Sequence, residues 1–504
     1  MPWRSRLIKP IARIISKQII REANRPTASQ AQIFQTLIHK AKDTEFGKEH
    51  RFAGINTYKE YKDAVPIRDY EGIRGYIDKI RTGAKDVLWP GLPKYFSKTS
   101  GTTSGVKYIP ITHHSLPNHF NTARNALFHF YHTTGKGSYF DGKVIFLSGS
   151  PKLTYENGIA IGRLSGIVNH QVPNWLKTSQ LPTWKTNIIE DWEEKLNRIV
   201  DETIALDMRL ISGIPPWVLM YYEKLLEKSG KNSIKEIFPN YSMFVYGGVN
   251  FAPYKKKLEQ LVGAEVDTLE TYPASEGFIA FQDRPGADDL LLNTDSGIFF
   301  EFIPADQIFE KDPPRYQLED VKLGVNYAII INSNAGLWGY NIGDTVMFTC
   351  VNPYRLRVTG RIKHFISAFG EHVIGAEVDK AINQASDEMG INLIEYTVAP
   401  EVNAPDGGLP YHEWFIEFDY VPERMEELSM KIDQNLQNLN IYYKDLIAGN
   451  ILRTLKITPL CKSAFRNYMA SQGKLGGQNK VPRLSNDRRI ADALKKYALK
   501  SVLD

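Results

Sequence analysis

The chain has 504 residues and a formal net charge of +5, with 42% hydrophobic and 24% charged residues. This composition is typical of a soluble globular protein with ample core material, and the length predicts roughly two to four domains. Two cysteines cannot form a disulfide framework, which favours a reducing, cytoplasmic compartment, and the sequence shows neither a signal peptide nor an apolar run long enough to span a bilayer.

The positive charge is concentrated at the N-terminus. Residues 1–25 contribute +6, so the other 479 residues together carry −1. A nucleic-acid-binding protein would be expected to spread basic residues over a wider surface. We therefore expect no nucleic-acid partner.

The same segment has the pattern of an amphipathic helix, because isoleucines recur at helical spacing and basic residues fall on another face. Such a helix either lies on an anionic membrane surface or covers the protein's own core, and we favour the second, structural role. The isoleucines are Ile8, Ile11, Ile15 and Ile19, and the basic residues are Arg13, Lys17 and Arg21.

A loop rich in glycine and hydroxyl side chains follows, with the sequence SKTSGTTSGVK at 97–107. Gly101 and Gly105 allow the backbone to approach a ligand closely, and successive N–H groups in such a loop form a concavity for anions. Residues 108–112 read as a strand, whereas a helix follows the phosphate loop of a Walker A motif. The segment is therefore either a polyphosphate cradle of another kind or a solvated turn between two strands.

From about residue 139, short apolar runs precede turns of glycine, proline and serine. The runs are KVIFLSGS, MRLISGIPPW, SMFVYGGVN and VDTLETYPASEG. A helical pattern between Pro215 and Gly230 follows the second run. Strand, turn, helix and strand predict an α/β domain, in which ligands bind beyond the carboxyl ends of the strands. The turns at 247–248 and 272–277 are therefore candidate binding elements.

The rest of the chain predicts two further regions. Residues 297–362 are rich in β signals, and the chain beyond His364 reads as a smaller α+β unit ending in a basic, glycine-rich loop, GKLGGQNKVPR. The predicted fold class is α/β, with a large N-terminal domain of sheets flanked by helices and a smaller α+β domain at the C-terminus.

Three polar residues stand out in these segments. Glu276 can cap a turn, Asp344 can close the turn in GYNIGD, and Arg361 can pair with a surface acid. Taken singly, each is more often structural than functional. Only their order along the chain favours a functional interpretation.

Six segments together resemble the motif series of the ANL superfamily of adenylating enzymes, and within it the auxin-responsive Gretchen Hagen acyl-acid amido synthetases. The resemblance covers nearly the whole chain and extends to TEFGKEHRF, YKDAVPIRDYEGIRGYIDKI and GIPPW. The six segments are SKTSGTTSGVK, YGG, TYPASEG, GYNIGD, VTGRIKHFISAFGEHV and GKLGGQNKVPR.

The resemblance implies an enzyme that joins a carboxylic acid to ATP as an acyl-adenylate, with Mg²⁺, and then passes the acyl group to an amine, typically that of an amino acid. It implies an adenylating domain at 1–362, which binds ATP and the acid. A mobile C-terminal domain would occupy 363–504, with Lys363 or His364 at the hinge. We expect a monomer.

The resemblance also implies roles for single residues. Glu276 would reach Mg²⁺ and take part in catalysis, and Asp344 and Arg361 would contact the ribose. The catalytic lysine is either Lys480, which the Q-x-K-x-P-R pattern favours, or Lys474, which the glycine–lysine pattern of the wider superfamily favours. The phosphates would be held by Ser100, Gly101, Thr102, Thr103, Ser104 and Lys107, and the adenine would be lined by Gly247, Gly248 and Tyr272.

Three other interpretations remain. An acyl-CoA ligase would form the same adenylate but use a thiol acceptor. The strand after the hydroxyl-rich loop disfavours a P-loop-like phosphotransferase, and the full set of polar motif residues disfavours a catalytically idle interaction protein. The acid pocket is expected near 162–170 and 212–217, with Phe128 or Tyr131 as a wall, and the sequence specifies neither the acid nor the acceptor.

Overall fold

The structure is a computed structural model, and the chain divides into two compact units. The first comprises Met1–Phe251 and Leu258–Val358, and the second comprises Ala252–Lys257 and Thr359–Asp504. In the part of the chain that the structure describes, no helix is both long and apolar enough to cross a membrane. The described residues are 4–100, 106–172, 177–248, 251–362, 365–366, 373–402, 404–449, 452–473, 481–485 and 488–499.

Helices form the beginning of the first unit. They are α1 (Arg4–Ala23), α2 (Pro26–Ala41), α3 (Glu45–Glu49), α4 (Tyr58–Ala64) and α5 (Tyr70–Arg81). Thr57 and Glu60 cap α4 reciprocally, because the Thr57 side chain accepts from the N–H of Glu60 while the Glu60 carboxylate accepts from the N–H of Thr57. Such caps satisfy N–H groups that have no partner within the helix.

Helix α1 packs against α6 (Leu116–Thr134), so it covers the protein's own core as expected. Its buried residues are Ser5, Ile8, Ala12, Ser16 and Ile19. Ser16 Oγ lies 2.9 Å from His129 Nδ1 on α6. The prediction that Ile11 belongs to the same face is wrong: Ile11 is 50% exposed, because it lies about 100° around the helix from Ala12, at the edge of the side that packs on α6.

A four-stranded sheet has the order β2-β1-β5-β4 within the described residues. Its strands are β1 (Tyr95–Ser100), β2 (Val106–Ile111), β4 (Thr154–Glu156) and β5 (Ile159–Gly162). Strand β1 runs antiparallel to β2 and parallel to β5. The strand predicted after the hydroxyl-rich loop is thereby confirmed as β2.

The large sheet contains eleven strands in the described chain. They are β3 (Lys143–Phe146), β6 (Gln180–Leu181), β7 (Met208–Ser212), β8 (Met243–Gly247), β9 (Asp267–Ala274), β10 (Gly277–Phe281), β11 (Leu290–Leu292), β12 (Ile298–Pro304), β13 (Asn326–Ser333), β14 (Tyr340–Val351) and β15 (Tyr354–Arg361). Their order across the sheet is β12-β13-β14-β15-β11-β10-β9-β8-β7-β3-β6. The run from β6 to β9 is parallel, which confirms the predicted α/β pattern.

The remaining helices of this region connect or flank the parallel strands. They are α7 (Leu164–His170), α8 (Trp184–Asn187), α9 (Trp192–Thr203), α10 (Pro215–Ser229), α11 (Ile234–Ile237) and α12 (Ala252–Val262). Helix α10 confirms the predicted helix: prolines stand in its first turn, and Gly230 ends it in the left-handed region at φ +64°.

A buried ion pair ties the N-terminal helices to the large sheet. The Glu301 side chain on β12 is fully buried, and that of Arg315 is 5% exposed. Arg315 also donates to the carbonyl of Val65 at the end of α4. Because a buried charge is costly without its partner, this contact fixes the helical layer against β12.

The second unit is the smaller α+β body that the sequence predicts. Among the described residues, its main sheet has three strands, β18 (Leu393–Glu401), β19 (Tyr411–Phe418) and β20 (Lys456–Leu460), which lie in this order and are flanked by helices. The strand-like patterns NLIEYTVAP and EWFIEFDYV coincide with its two longest strands, and the helical patterns AEVDKAINQAS and ERMEELSMKIDQNLQNL coincide with its two longest helices. The elements are β16 (Phe365–Ile366), β17 (Val373–Ile374), α13 (Gly375–Met389), β18 (Leu393–Glu401), β19 (Tyr411–Phe418), α14 (Met425–Leu439), α15 (Ile441–Ala448), β20 (Lys456–Leu460), α16 (Ala464–Ser471) and α17 (Arg489–Leu494).

Candidate active site

The hydroxyl-rich loop joins two paired strands. Thr99 on β1 pairs with Lys107 on β2, so residues 101–105 connect the two ends of a hairpin. Gly101, Thr102, Thr103 and Ser104 lie outside the described residues, as does the side chain of Ser100. Below the tip, the Lys107 ammonium lies 5.7 Å from the centre of the Tyr70 ring, and the Tyr70 hydroxyl accepts from the Tyr108 N–H at 2.9 Å. Helix α5 therefore holds the hairpin from one side.

A second contact fixes the hairpin stem to the large sheet. The buried Ser97 hydroxyl on β1 donates to Ser275 Oγ at 3.1 Å. Ser275 and Glu276 form the two-residue turn between β9 and β10, since Ala274 pairs with Gly277. A Cβ atom at Gly277 would overlap Cδ1 of Ile298, so a larger residue there would require the Ile298 side chain to shift. The half-buried Glu276 and the stem of the candidate phosphate loop are consequently neighbours.

Tyr272 and Asp344 also meet in the structure. The Tyr272 hydroxyl donates to Asp344 Oδ2 at 2.6 Å, and the Tyr272 side chain is largely buried. The family resemblance implies that Tyr272 contacts the adenine and that Asp344 contacts the ribose. A carboxylate has lone pairs for several donors, so a hydrogen bond from Tyr272 is compatible with further hydroxyl partners of Asp344.

An irregular stretch of β14 positions Asp344. Asn341 pairs with Ile330 and Thr345 pairs with Ala328, so β14 advances four residues while β13 advances two. The extra residues bulge out of the ladder, and Gly343 adopts φ +87°, a conformation that favours glycine. The turn-like sequence GYNIGD is thus a bulge within a strand, and the bulge re-aims the Asp344 side chain.

The glycine pair at 247–248 has a local physical cause. Strand β8 approaches β9 so closely that a Cβ atom at Gly247 would overlap the carbonyl oxygen of Thr271. Gly248 has φ +76°. Beside them, the Tyr246 ring stacks on Phe251 with centroids 4.2 Å apart. The pair allows the chain to leave the end of β8 directly beside the strand that carries Tyr272.

Glu270 is a feature of this region that the sequence analysis missed. It lies two residues before Tyr272, so both side chains belong to the same face of β9. Burial raises the pKa of the Glu270 carboxyl to about 7, and a hydrogen bond from Tyr246 offsets part of that rise. An acidic residue inside a strand of a parallel sheet was the available signal, because such strands are usually apolar.

Two basic residues near the expected acid pocket were also missed. Arg163 directly follows β5, and the parallel pairing of Ser97 with Gly162 places it at the same end of the small sheet as the last residues of β1. Burial lowers the pKa of Arg163. Lys195 on α9 donates from Nζ to the carbonyls of Ser148 and Asn187, each at 2.8 Å. Burial and the charge of Arg163 lower the pKa of Lys195 to about 8.

The two residues proposed as walls of the acid pocket have a packing role in the structure, and their place in a pocket stays a prediction. Phe128 and Tyr131 are buried on α6 in the core cluster that includes Ile8 and Ala12 of α1. Tyr131 Oη donates to the Ser5 carbonyl at 3.2 Å. Both residues therefore help to seat the N-terminal helix.

The remaining sequence candidates belong to the second unit or lie outside the described residues. Arg361 is the exposed last residue of β15 and belongs to the second unit. Lys363, His364, Lys474 and Lys480 lie outside the described residues. The roles given to these residues stay predictions.

Replacing Glu270 by glutamine tests the buried carboxyl. Because its folded-state pKa is raised above the ordinary value of 4.5, the folded protein holds this proton more tightly than the unfolded chain does, and stability is lost as pH rises through about 7. The free energy of unfolding of Glu270→Gln should equal that of the wild type at about pH 4.5. At about pH 8 it should be larger than that of the wild type by roughly 3 kcal/mol. Urea unfolding at several pH values measures both quantities.

Glu388→Gln is the matched control. A hydrogen bond from Lys431 lowers the pKa of the Glu388 carboxyl, so this substitution should reduce stability at neutral pH. A Glu270→Gln protein that gains no stability relative to the wild type as pH rises would contradict the assignment of a buried, protonated Glu270.

Three family models match the chain in order. The GH3 family N-terminal domain matches residues 15–180, the GH3 family central domain matches 291–361, and the GH3 family C-terminal domain matches 376–489. Among curated relatives, the indole-3-acetic acid-amido synthetase GH3.3 of Arabidopsis thaliana is 21% identical, over 92% of this chain and 90% of the relative. The jasmonoyl–L-amino acid synthetase JAR6 of Nicotiana attenuata is also 21% identical, over 93% of each chain.

Solved structures share the fold. A GH3.15 acyl acid amido synthetase superposes with a TM-score of 0.81 at 17% identity, over 96% of both chains. A 2-hydroxyisobutyryl-CoA ligase in its postadenylation state superposes with a TM-score of 0.62 at 13% identity, over 94% of this chain and 92% of the other. These matches confirm the predicted fold class. The chain belongs to the GH3 family, the Gretchen Hagen family that its motif series predicts.

Proposed function

We propose that this protein is an ATP-dependent acyl-acid amido synthetase, which adenylates a small carboxylic acid and transfers the acyl group to the amine of an amino acid. The observation that supports this most strongly is the hydrogen bond between Tyr272 and Asp344. It joins the two residues whose motifs suggest adenine and ribose contacts. The named activities of the GH3 relatives support the same reaction class.

The nucleotide would be held by chemically suitable groups. Tyr272 offers a flat ring to adenine beside Gly247 and Gly248, and the Asp344 carboxylate can accept from both ribose hydroxyls, with Arg361 as a further ribose contact. The backbone of the hairpin would bind the β- and γ-phosphates. The side chains proposed to assist there are those of Ser100, Thr102, Thr103, Ser104 and Lys107.

Adenylation brings anions together, so positive groups and N–H donors must stabilise the charge that develops. A carboxylate oxygen of the acid attacks the α-phosphorus, and pyrophosphate leaves with the electron pair of the broken P–O bond. In the second step the amine attacks the acyl carbon, loses a proton, and AMP leaves. The lysine proposed to stabilise the first transition state is Lys480, with Lys474 as the alternative.

We propose that Mg²⁺ binds together with the triphosphate of ATP. The donor set fits this ion, because Mg²⁺ is commonly held by one or two carboxylates together with substrate phosphates, and Glu276 supplies a half-buried carboxylate beside the hairpin stem. Bound there, the ion would offset part of the phosphate charge.

We propose that residues 1–362 form the domain that binds ATP and the acid. Residues 363–504 would form a mobile domain that carries the catalytic lysine. We further propose a monomer in the cytoplasm. Cys350 and Cys461 are both free thiols, in keeping with a reducing compartment. Size-exclusion chromatography with light scattering would contradict the monomer if it gave a dimer mass, and cell fractionation tests the location.

Pyrophosphate exchange tests the function. With labelled pyrophosphate, ATP and a panel of aryl and alkyl acids, at least one acid should drive label into ATP, and AMP should accumulate once an amino acid is added. An amide identified by mass supports the amido synthetase, whereas a thioester formed only with CoA supports the acyl-CoA ligase. ADP as the sole nucleotide product would contradict adenylation.

Asp344→Ala should raise the KM for ATP by about ten- to a hundredfold, because a hydrogen bond to a charged group contributes about 1.5–3 kcal/mol. Tyr272→Phe keeps the ring and removes the hydroxyl that donates to Asp344, so it should raise this KM by less, about two- to tenfold. Steady-state kinetics measure both values. An unchanged KM in Asp344→Ala would make Asp344 a purely structural residue of the bulge.

Lys480→Ala should slow adenylation about a hundredfold or more, with less effect when a preformed acyl-adenylate is supplied with the amine. Lys474→Ala is its matched control. The reverse result would assign catalysis to Lys474, and two active variants would contradict the proposed lysine loop.

A further inference from the structure

Helix α1 has an outer side that its packing role does not explain. Leu7, Ile11 and Ile14 are 63%, 50% and 68% exposed. Their spacing of four and three residues puts them on one stripe, on the side of the helix away from Ala12. Ile20, which is 48% exposed, is a fourth large hydrophobic side chain that this helix exposes. Single exposed apolar residues are ordinary, but a stripe of them marks an interaction site.

Basic side chains lie beside this apolar stripe. From Arg4 to Arg21 the helix contains no acidic residue. Within the described part of the chain, the cations of Arg6, Lys9, Arg13 and Lys17 have no acidic partner. All four side chains are exposed, as is that of Arg21. The outer surface of α1 therefore combines an apolar stripe with a positive one.

We propose that the outer face of α1 docks on an anionic lipid surface. An apolar stripe flanked by cations is the pattern of helices that lie in the membrane interface, where the apolar side chains enter the acyl boundary and the cations contact lipid phosphates. The inner side of α1 stays packed on α6, so docking needs no rearrangement of the core. This inference does not depend on the proposed enzymatic function.

A second copy of the chain is a poorer occupant of the same face. Residues 1–25 carry +6, so two such segments would repel each other at close range. The remaining chain carries only −1. Anionic lipid, by contrast, is complementary to both stripes at once.

Vesicle sedimentation tests the proposal. Purified full-length protein should sediment with vesicles containing about one third phosphatidylglycerol in phosphatidylcholine, should remain in solution with phosphatidylcholine alone, and should be released by high salt. Two triple variants address the two stripes: Leu7→Ser with Ile11→Ser and Ile14→Ser, and Lys9→Gln with Arg13→Gln and Lys17→Gln. Each should weaken binding about a hundredfold, because every lipid-facing cation or apolar side chain contributes to it.

Leu323→Ser with Val402→Ser and Met430→Ser is the matched control, since these apolar residues are also exposed but lie elsewhere in the chain. It should bind like the wild type, and thermal unfolding should show that all variants are folded. Absence of binding to the anionic vesicles would overturn the proposal, as would equal binding by the apolar variant. So would a dimer in light scattering that only the α1 variants dissociate, because a second copy would then be the occupant.

Discussion

The hydrogen bond from Tyr272 to Asp344 imposes the main geometric constraint on the first unit. The two residues belong to β9 and β14, which are separated in the sheet by β10, β11 and β15. Four strand spacings amount to roughly 19 Å across a flat sheet, too far for two side chains to bridge. The sheet must therefore curl strongly between its parallel and antiparallel parts, and the concave side it creates is where the candidate nucleotide residues meet.

Two further contacts complete this arrangement. Ser97 fixes the small sheet to the β9–β10 turn, which brings the stem of the hairpin next to Glu276. The close approach of β8 to β9 at Gly247 places the glycine pair on the other side of Tyr272. Strand β9 is thus the common element. It carries Tyr272, lies against Gly247 and leads into the turn whose Ser275 accepts from Ser97, although these residues come from segments far apart in the sequence.

Local patterns predicted the elements well because their causes are local. Short apolar runs before glycine and proline became β3, β7, β8 and β9, and Pro215 and Gly230 mark the ends of a helix. The sequence could not predict the raised pKa of Glu270, which depends on burial by neighbouring strands, nor the bulge that re-aims Asp344. It also misjudged Ile11, since which side of α1 is buried depends on the shape of α6. The lysine loop and the hairpin tip, outside the described residues, stay predictions from motifs.

The central claim is that a carboxylate oxygen of the acid attacks the α-phosphorus of ATP. The most direct measurement uses an acid that supports pyrophosphate exchange, labelled with heavy oxygen in its carboxylate, together with ATP and an amino acid acceptor. Mass spectrometry of the nucleotide should find one labelled oxygen in AMP, since the acyl-adenylate leaves that oxygen on phosphorus when the amine takes the acyl group. Unlabelled AMP, or label in orthophosphate alongside ADP, would contradict the account.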